Sequence, residues 1–103
     1  MRTNQHDPYD LDQAIANAME RMSSWTDQEL VSAFNRETSI IAWTTSRQVH
    51  LLALFKSFQK RGIDTQVIET PSGFSFKRKV EMEVQNGHRF LKVHTDLRRK
   101  FPN

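Results

Sequence analysis

The feature that most constrains this chain is the stretch over residues 74–93, two alternating runs divided by Asn86-Gly87. Asn-Gly supplies the two positive φ angles of a type I′ turn, so the dipeptide predicts a two-residue hairpin loop. In the first run Phe74, Phe76, Val80, Met82 and Val84 point one way. Ser75, Lys77, Lys79, Glu81, Glu83 and Gln85 point the other, and only Arg78 is out of place. The loop length sets the register: Gln85 opposite His88, Met82 opposite Leu91, Val80 opposite Val93 and Glu81 opposite Lys92. That pairing collects the apolar pairs on one face and an opposite-charge pair on the other, although nothing in the turn demands it.

An apolar sheet face needs a cover, and the longest apolar block, residues 39–62, is the candidate. Residues 39–45 are β-branched and carry Trp43, which predicts a strand. Thr45-Ser46-Arg47-Gln48 then has a capping-box pattern, and a helix follows until Gly62 stops it. At 100° per residue Leu51, Leu52, Leu54, Phe55 and Phe58 share one broad face. His50, Lys56, Ser57, Lys60 and Arg61 lie opposite, with Val49 and Ala53 among them. A face that wide predicts a sheet beneath it.

Two further helices are predicted upstream. Asp10 or Asp12 caps the first, in which Leu11, Ile15, Ala18, Met19 and Met22 form one stripe ending near Ser23. Thr26 and Glu29 form a capping box, with Trp25 and Leu30 at the places of a hydrophobic staple. The second helix thus runs from Asp27 to about Arg36, with Leu30, Val31 and Phe34 inward. Residues 65–70 read as a strand and Pro71-Ser72-Gly73 as a tight loop. Residues 1–9 read as a flexible lead-in, and residues 95–103 as a short turn or frayed end. The expected fold is a single α+β domain over residues 10–103, a two-layer sandwich in the order α-α-β-α-β-β-β. Its helices pack on one face of a mixed, mainly antiparallel sheet that includes a right-handed βαβ crossover.

Composition removes several function classes. The absence of cysteine excludes disulfides, Cys-based zinc sites and thiol catalysis, and fits a cytoplasmic protein. No run approaches the roughly 18 apolar residues of a membrane span, and the polar, acidic start reads as neither signal peptide nor presequence. Gly62, Gly73 and Gly87 are each accounted for by a helix end or a turn, so no phosphate-cradling loop is present. His6, His50, His88 and His94 show no metal-ligand spacing. Glu81 and Glu83 share a strand face about 7 Å apart. With Lys79 and Lys92 beside them they read as a surface charge ladder, not an acid–base pair. No G-x-S-x-G motif occurs. The expectation is a protein that is not an enzyme, with no catalytic, metal or cofactor residues.

Charge leaves two candidate binding surfaces. Residues 1–45 hold three Arg against seven Asp and Glu, a net −4, whereas residues 46–103 hold twelve Lys and Arg against five acids, a net +7. One surface is the outer sheet face, with Lys77, Lys79 and Lys92 around Phe90, and His94 and Val67 close by. The other is the exposed side of the third helix, Lys56, Lys60 and Arg61, joined by Arg98, Arg99 and Lys100. Lysines beside an aromatic ring suit a nucleic-acid strand, with phosphates on the ammonium groups and a base on the ring. Glu81 and Glu83 on the same face oppose that. The expectation is therefore a small binding module, associated with nucleic acid through its basic second half. The alternative is a protein–protein interaction or structural module, a homodimer through the sheet face that carries Phe90 and Val67.

Overall fold

The computed structural model describes residues 10–38, 40 and 44–94. Three helices come first: α1, Leu11–Met22, α2, Asp27–Glu37, and α3, Thr45–Lys60. A 3₁₀ turn, Gln66–Ile68, leads into β1, Glu69–Thr70, which pairs antiparallel with β2, Gly73–Phe74. The second hairpin is β3, Val80–Gln85, with β4, His88–Val93. The class is α+β.

The helix starts follow the capping chemistry. Asp10 accepts the Gln13 N–H at 3.1 Å and caps α1. At α2, Thr26 Oγ1 accepts the Glu29 N–H at 3.0 Å and Glu29 Oε1 accepts the Thr26 N–H at 2.7 Å, a complete capping box. Trp25 packs against the core that holds Leu30, where the staple places it. α3 starts one residue earlier than its pattern suggests. Thr44, in extended conformation, accepts the Arg47 N–H at 3.1 Å, and Thr45 is already helical. The expected strand over 39–45 thus loses its last two residues to the helix and its cap; residues 39 and 41–43 lie outside the described residues. At the far end Gly62, φ 76°, takes the left-handed position. The Ile63 N–H reaches Phe58 O and the Gly62 N–H reaches Gln59 O, both at 3.0 Å, closing a Schellman motif.

The core joins all three helices to the second hairpin. Phe34 of α2 meets Phe58 of α3 edge to face with centroids 6.2 Å apart, among Leu30, Val31, Leu54, Val80 and Leu91. α1 packs along α3, and α2 lies against both α3 and β3. The expected division of α3 into one apolar and one polar side does not hold. Val49, Ala53 and Ser57, placed on the polar side, are buried, and the Ser57 hydroxyl lies 3.8 Å from Met22 Sδ. α3 is covered by α1 as well as by α2, and α1 reaches the positions expected to be polar. No helix among the described residues is long and apolar enough to cross a membrane.

The long hairpin follows its prediction pair by pair. Gln85 is opposite His88, Met82 opposite Leu91, Glu81 opposite Lys92 and Val80 opposite Val93. Asn86 and Gly87 take φ of 54° and 82°, as a type I′ turn requires. Upstream the sheet departs from expectation. Of residues 65–70 only Glu69–Thr70 are strand, and Gln66–Ile68 form a 3₁₀ turn, where Asp64 Oδ1 accepts the Gln66 N–H at 2.8 Å and tightens the backbone. The run 74–85 is broken over 75–79, where Ser75 Oγ accepts the Lys77 N–H at 3.3 Å. Arg78, the residue out of alternation, sits in that break. The described strands therefore form two separate two-stranded sheets, and parallel pairing is limited to one bridge, Asp64 with Phe90.

Candidate interaction surfaces

Three of the predicted cations are engaged within the molecule. On the outer face of the long hairpin, Lys92 Nζ lies 2.7 Å from Glu83 Oε1, diagonally across the strands. Hydrogen bonds from Lys92 and Gln85 hold the Glu83 carboxyl below its ordinary value, and the same contact raises the Lys92 ammonium, so both stay ionised. Lys79 does not join that face. The chain bends over 75–79, and Lys79 Nζ turns to the C-terminal end of α2, donating to Asn35 O at 3.3 Å and Thr38 Oγ1 at 3.4 Å.

Arg61 is likewise not a free surface cation. Its guanidinium donates to Asp27 Oδ1 and to Met22 O, both at 2.9 Å. Arg89 donates to the second oxygen, Asp27 Oδ2, at 2.9 Å, and also to Arg61 O. One carboxylate at the start of α2 therefore holds Arg61 at the end of α3 and Arg89 on β4, and Arg61 in turn reaches the end of α1. Burial pushes the Asp27 carboxyl up, yet the hydrogen bonds and charges of the two arginines together outweigh it and hold it low.

Lys56 and Lys60 on α3 and Lys77 in the bend are exposed, and make no ion pair among the described residues. Arg98, Arg99 and Lys100 lie outside the described residues. The described predicted cations are thus spread over α3, the bend and the hairpin, and on the hairpin face Lys92 stands between Glu81, opposite it, and Glu83, diagonal to it.

Phe90 stands where the register predicts, half-buried on the outer face. His88 stacks on it at 5.6 Å between centroids and 20° between planes. His88 Nε2 is 3.4 Å from Asp64 Oδ2. The bridge from Asp64 to β4 brings the 3₁₀ turn alongside, so that Val67, 44% exposed, lies beside the aromatic pair. Asp64, Gln66, Val67, His88, Phe90 and Leu91 line an open depression of about 460 Å³. At the other end of the face His94 Nδ1 is 3.7 Å from Glu81 Oε2. Among the described residues no cluster of three or more His, Asp or Glu is placed to hold a metal ion.

Sequence reasoning missed Asp27, Arg89 and Asn35 as organising residues. Arg89 had a signal: the hairpin register sets it opposite Val84 on the inward face, where an arginine demands a partner. Asn35 had none, because its contacts span 45 residues of chain. Known proteins offer no further guide to these surfaces, since no family model, curated protein or solved structure matches this chain.

Proposed function

We propose that the chain is a small, non-enzymatic, cytoplasmic protein-interaction module that pairs with a second copy through the outer face of the β3–β4 hairpin. In this reading the molecule is a two-layer sandwich, with helices over one hairpin face and the partner over the other. The observation that carries it is Val67 exposed beside the stacked His88 and Phe90. Apolar and aromatic groups are rimmed there by charges of both signs, Asp64 and Glu83 against Lys92. A face of mixed sign complements itself about a two-fold axis. A phosphate backbone needs cations of one sign, and here the lysine is neutralised by a carboxylate at 2.7 Å.

Light scattering across a concentration series tests the reading. The wild type is expected to dimerise. Val67→Glu should weaken the dimer about a hundredfold, the effect of about 3 kcal/mol for an unpaired buried carboxylate. A protein that stays monomeric throughout, yet binds oligonucleotides in a salt-sensitive way, would sink it. Function would then move to Lys56, Lys60 and Lys77, whose exposed ammonium groups favour the nucleic-acid reading.

A further inference from the structure

The hydrogen bonds of the long hairpin can be followed strand by strand. Asp64 N–H donates to Arg89 O and the Leu91 N–H donates to Asp64 O, both at 2.9 Å, so Arg89 and Leu91 turn their backbone groups away from β3. By the alternation of an antiparallel ladder, His88, Phe90 and Lys92 then bond to Gln85, Glu83 and Glu81. Val80, Met82 and Val84 consequently aim their N–H and C=O groups at the outer edge of β3. Val80 confirms it: its N–H donates to Asn35 Oδ1 at 2.7 Å, and its carbonyl accepts from Asn35 Nδ2 at 2.8 Å. The amide of Asn35 occupies the edge as a neighbouring strand would. Met82 and Val84 make no hydrogen bond on that side among the described residues. Val84 is also the most exposed of the large apolar side chains described, at 56%.

We propose that this edge, from Val84 to Met82, takes an extended basic peptide as an added strand. Its backbone would pair with the two open residues, and the Asn35 amide would end the pairing at Val80. Apolar residues of the peptide would lie over Met82 and Val84, and Lys or Arg at the alternate positions would face Glu81 and Glu83. Glu83 can accept a cation from the edge side without releasing Lys92, because a carboxylate has about four acceptor sites. A second copy of this chain is the wrong occupant. Antiparallel pairing about Met82 sets Glu81 opposite the partner's Glu83, and pairing about Glu83 sets the two Glu83 side chains opposite each other. Pairing about Val84 runs Met82 into the partner's Asn86 at the turn, so Val84 alone could pair. The edge lies on the other side of the hairpin from the Val67–Phe90 depression, and the proposal stands without the dimer.

The test is titration of the full chain with acetyl-Lys-Val-Lys-Val-Lys-Val-amide and its Glu-Val counterpart, read by amide shifts and hydrogen exchange. The Lys peptide is expected to bind more tightly, and to shift and protect the Met82 and Val84 amides. Val84→Pro removes an edge donor that the hairpin itself does not use, a place where an edge strand tolerates proline. It should lose that binding while Gln85 and Glu83 keep their protection. If that variant does not fold, Glu81→Lys with Glu83→Lys alters only partly exposed side chains and keeps the question open to decision. It should weaken the Lys peptide about tenfold and favour the Glu peptide. Equal binding of the two peptides to the wild type, or binding that leaves Met82 and Val84 unprotected, overturns the proposal.

Discussion

The side-chain amide of Asn35 holds both backbone groups of Val80, accepting its N–H at 2.7 Å and donating to its carbonyl at 2.8 Å. Val80 is almost fully buried, so both groups would be left without water if that amide were removed. Asn35→Ala should therefore cost about 2 kcal/mol. Asn35→Asp should also destabilise, since a carboxylate can still accept the N–H but turns a charge on the carbonyl. Urea midpoints at unchanged m-value measure both. A loss no larger than that of an ordinary exposed helix substitution would show that the contact is not formed in solution.

Asp27, with Arg61 and Arg89 each at 2.9 Å, predicts an acid-sensitive contribution to stability. Its carboxyl is held below the ordinary value of 3.8 in the folded chain. The folded state therefore binds this proton less readily than the unfolded one. The contribution is complete above that ordinary value, and disappears as pH falls through the lower folded one. Asp27→Asn should cost about 1 to 2 kcal/mol at neutral pH, and give a flatter stability profile below about pH 4. Denaturant midpoints at a series of pH values check it; parallel acid limbs for the two proteins would contradict it.

How far these contacts were legible depends on the span of chain each one bridges. Asn86-Gly87 and its alternating flanks act over a few residues, and every pair of that register is found. The Thr26–Glu29 box is equally local and equally correct. Errors begin where two local options compete. Thr44 and Thr45 are both plausible caps, and the backbone uses the first. Residues 65–70 have strand-forming side chains, but the Asp64 carboxylate favours a turn that propensity does not register. Of the candidate site, Phe90 and Lys92 came from the hairpin register and stand where it placed them. Periodicity places Arg61 and Lys79 on open surfaces, whereas each answers to a helix end distant in sequence.

His50 should produce a second, higher step in the pH profile. Burial lowers its imidazole below 6.5; Glu37 at 3.7 Å works against this, while Arg36 and Arg21 add to the lowering. A histidine with a depressed folded value takes up its proton in the unfolded chain first. The stability that this favours is full above about pH 6.5, and declines as pH drops toward the folded value. His50→Gln keeps a polar side chain of similar reach without titrating, so its stability should stay level where the wild type falls. Midpoints between about pH 7.5 and pH 5 decide it. A wild type already level across that range would contradict the burial of this ring.

Arg47 carries the last prediction. Its side chain is about nine-tenths buried, with Nε 2.8 Å from Glu37 Oε1. Nη2 donates to Glu37 O at 2.7 Å and Ile40 O at 2.8 Å, and the guanidinium lies 4.8 Å from the centre of the Phe76 ring. It thus satisfies carbonyls past the end of α2, pairs that helix's last carboxylate, and holds Phe76 of the bend against α3. An ammonium cannot reproduce that planar fork, so Arg47→Lys should be clearly destabilising rather than conservative. Arg47→Met should cost about 3 kcal/mol or more, because it strands Glu37 as a buried charge. Much of that loss comes from the carboxylate left behind. Arg47→Met combined with Glu37→Gln should therefore be more stable than Arg47→Met alone, which a double-mutant cycle of urea midpoints measures. Additive losses would mean that the two side chains act independently, and that the arginine works through the backbone carbonyls and Phe76 alone.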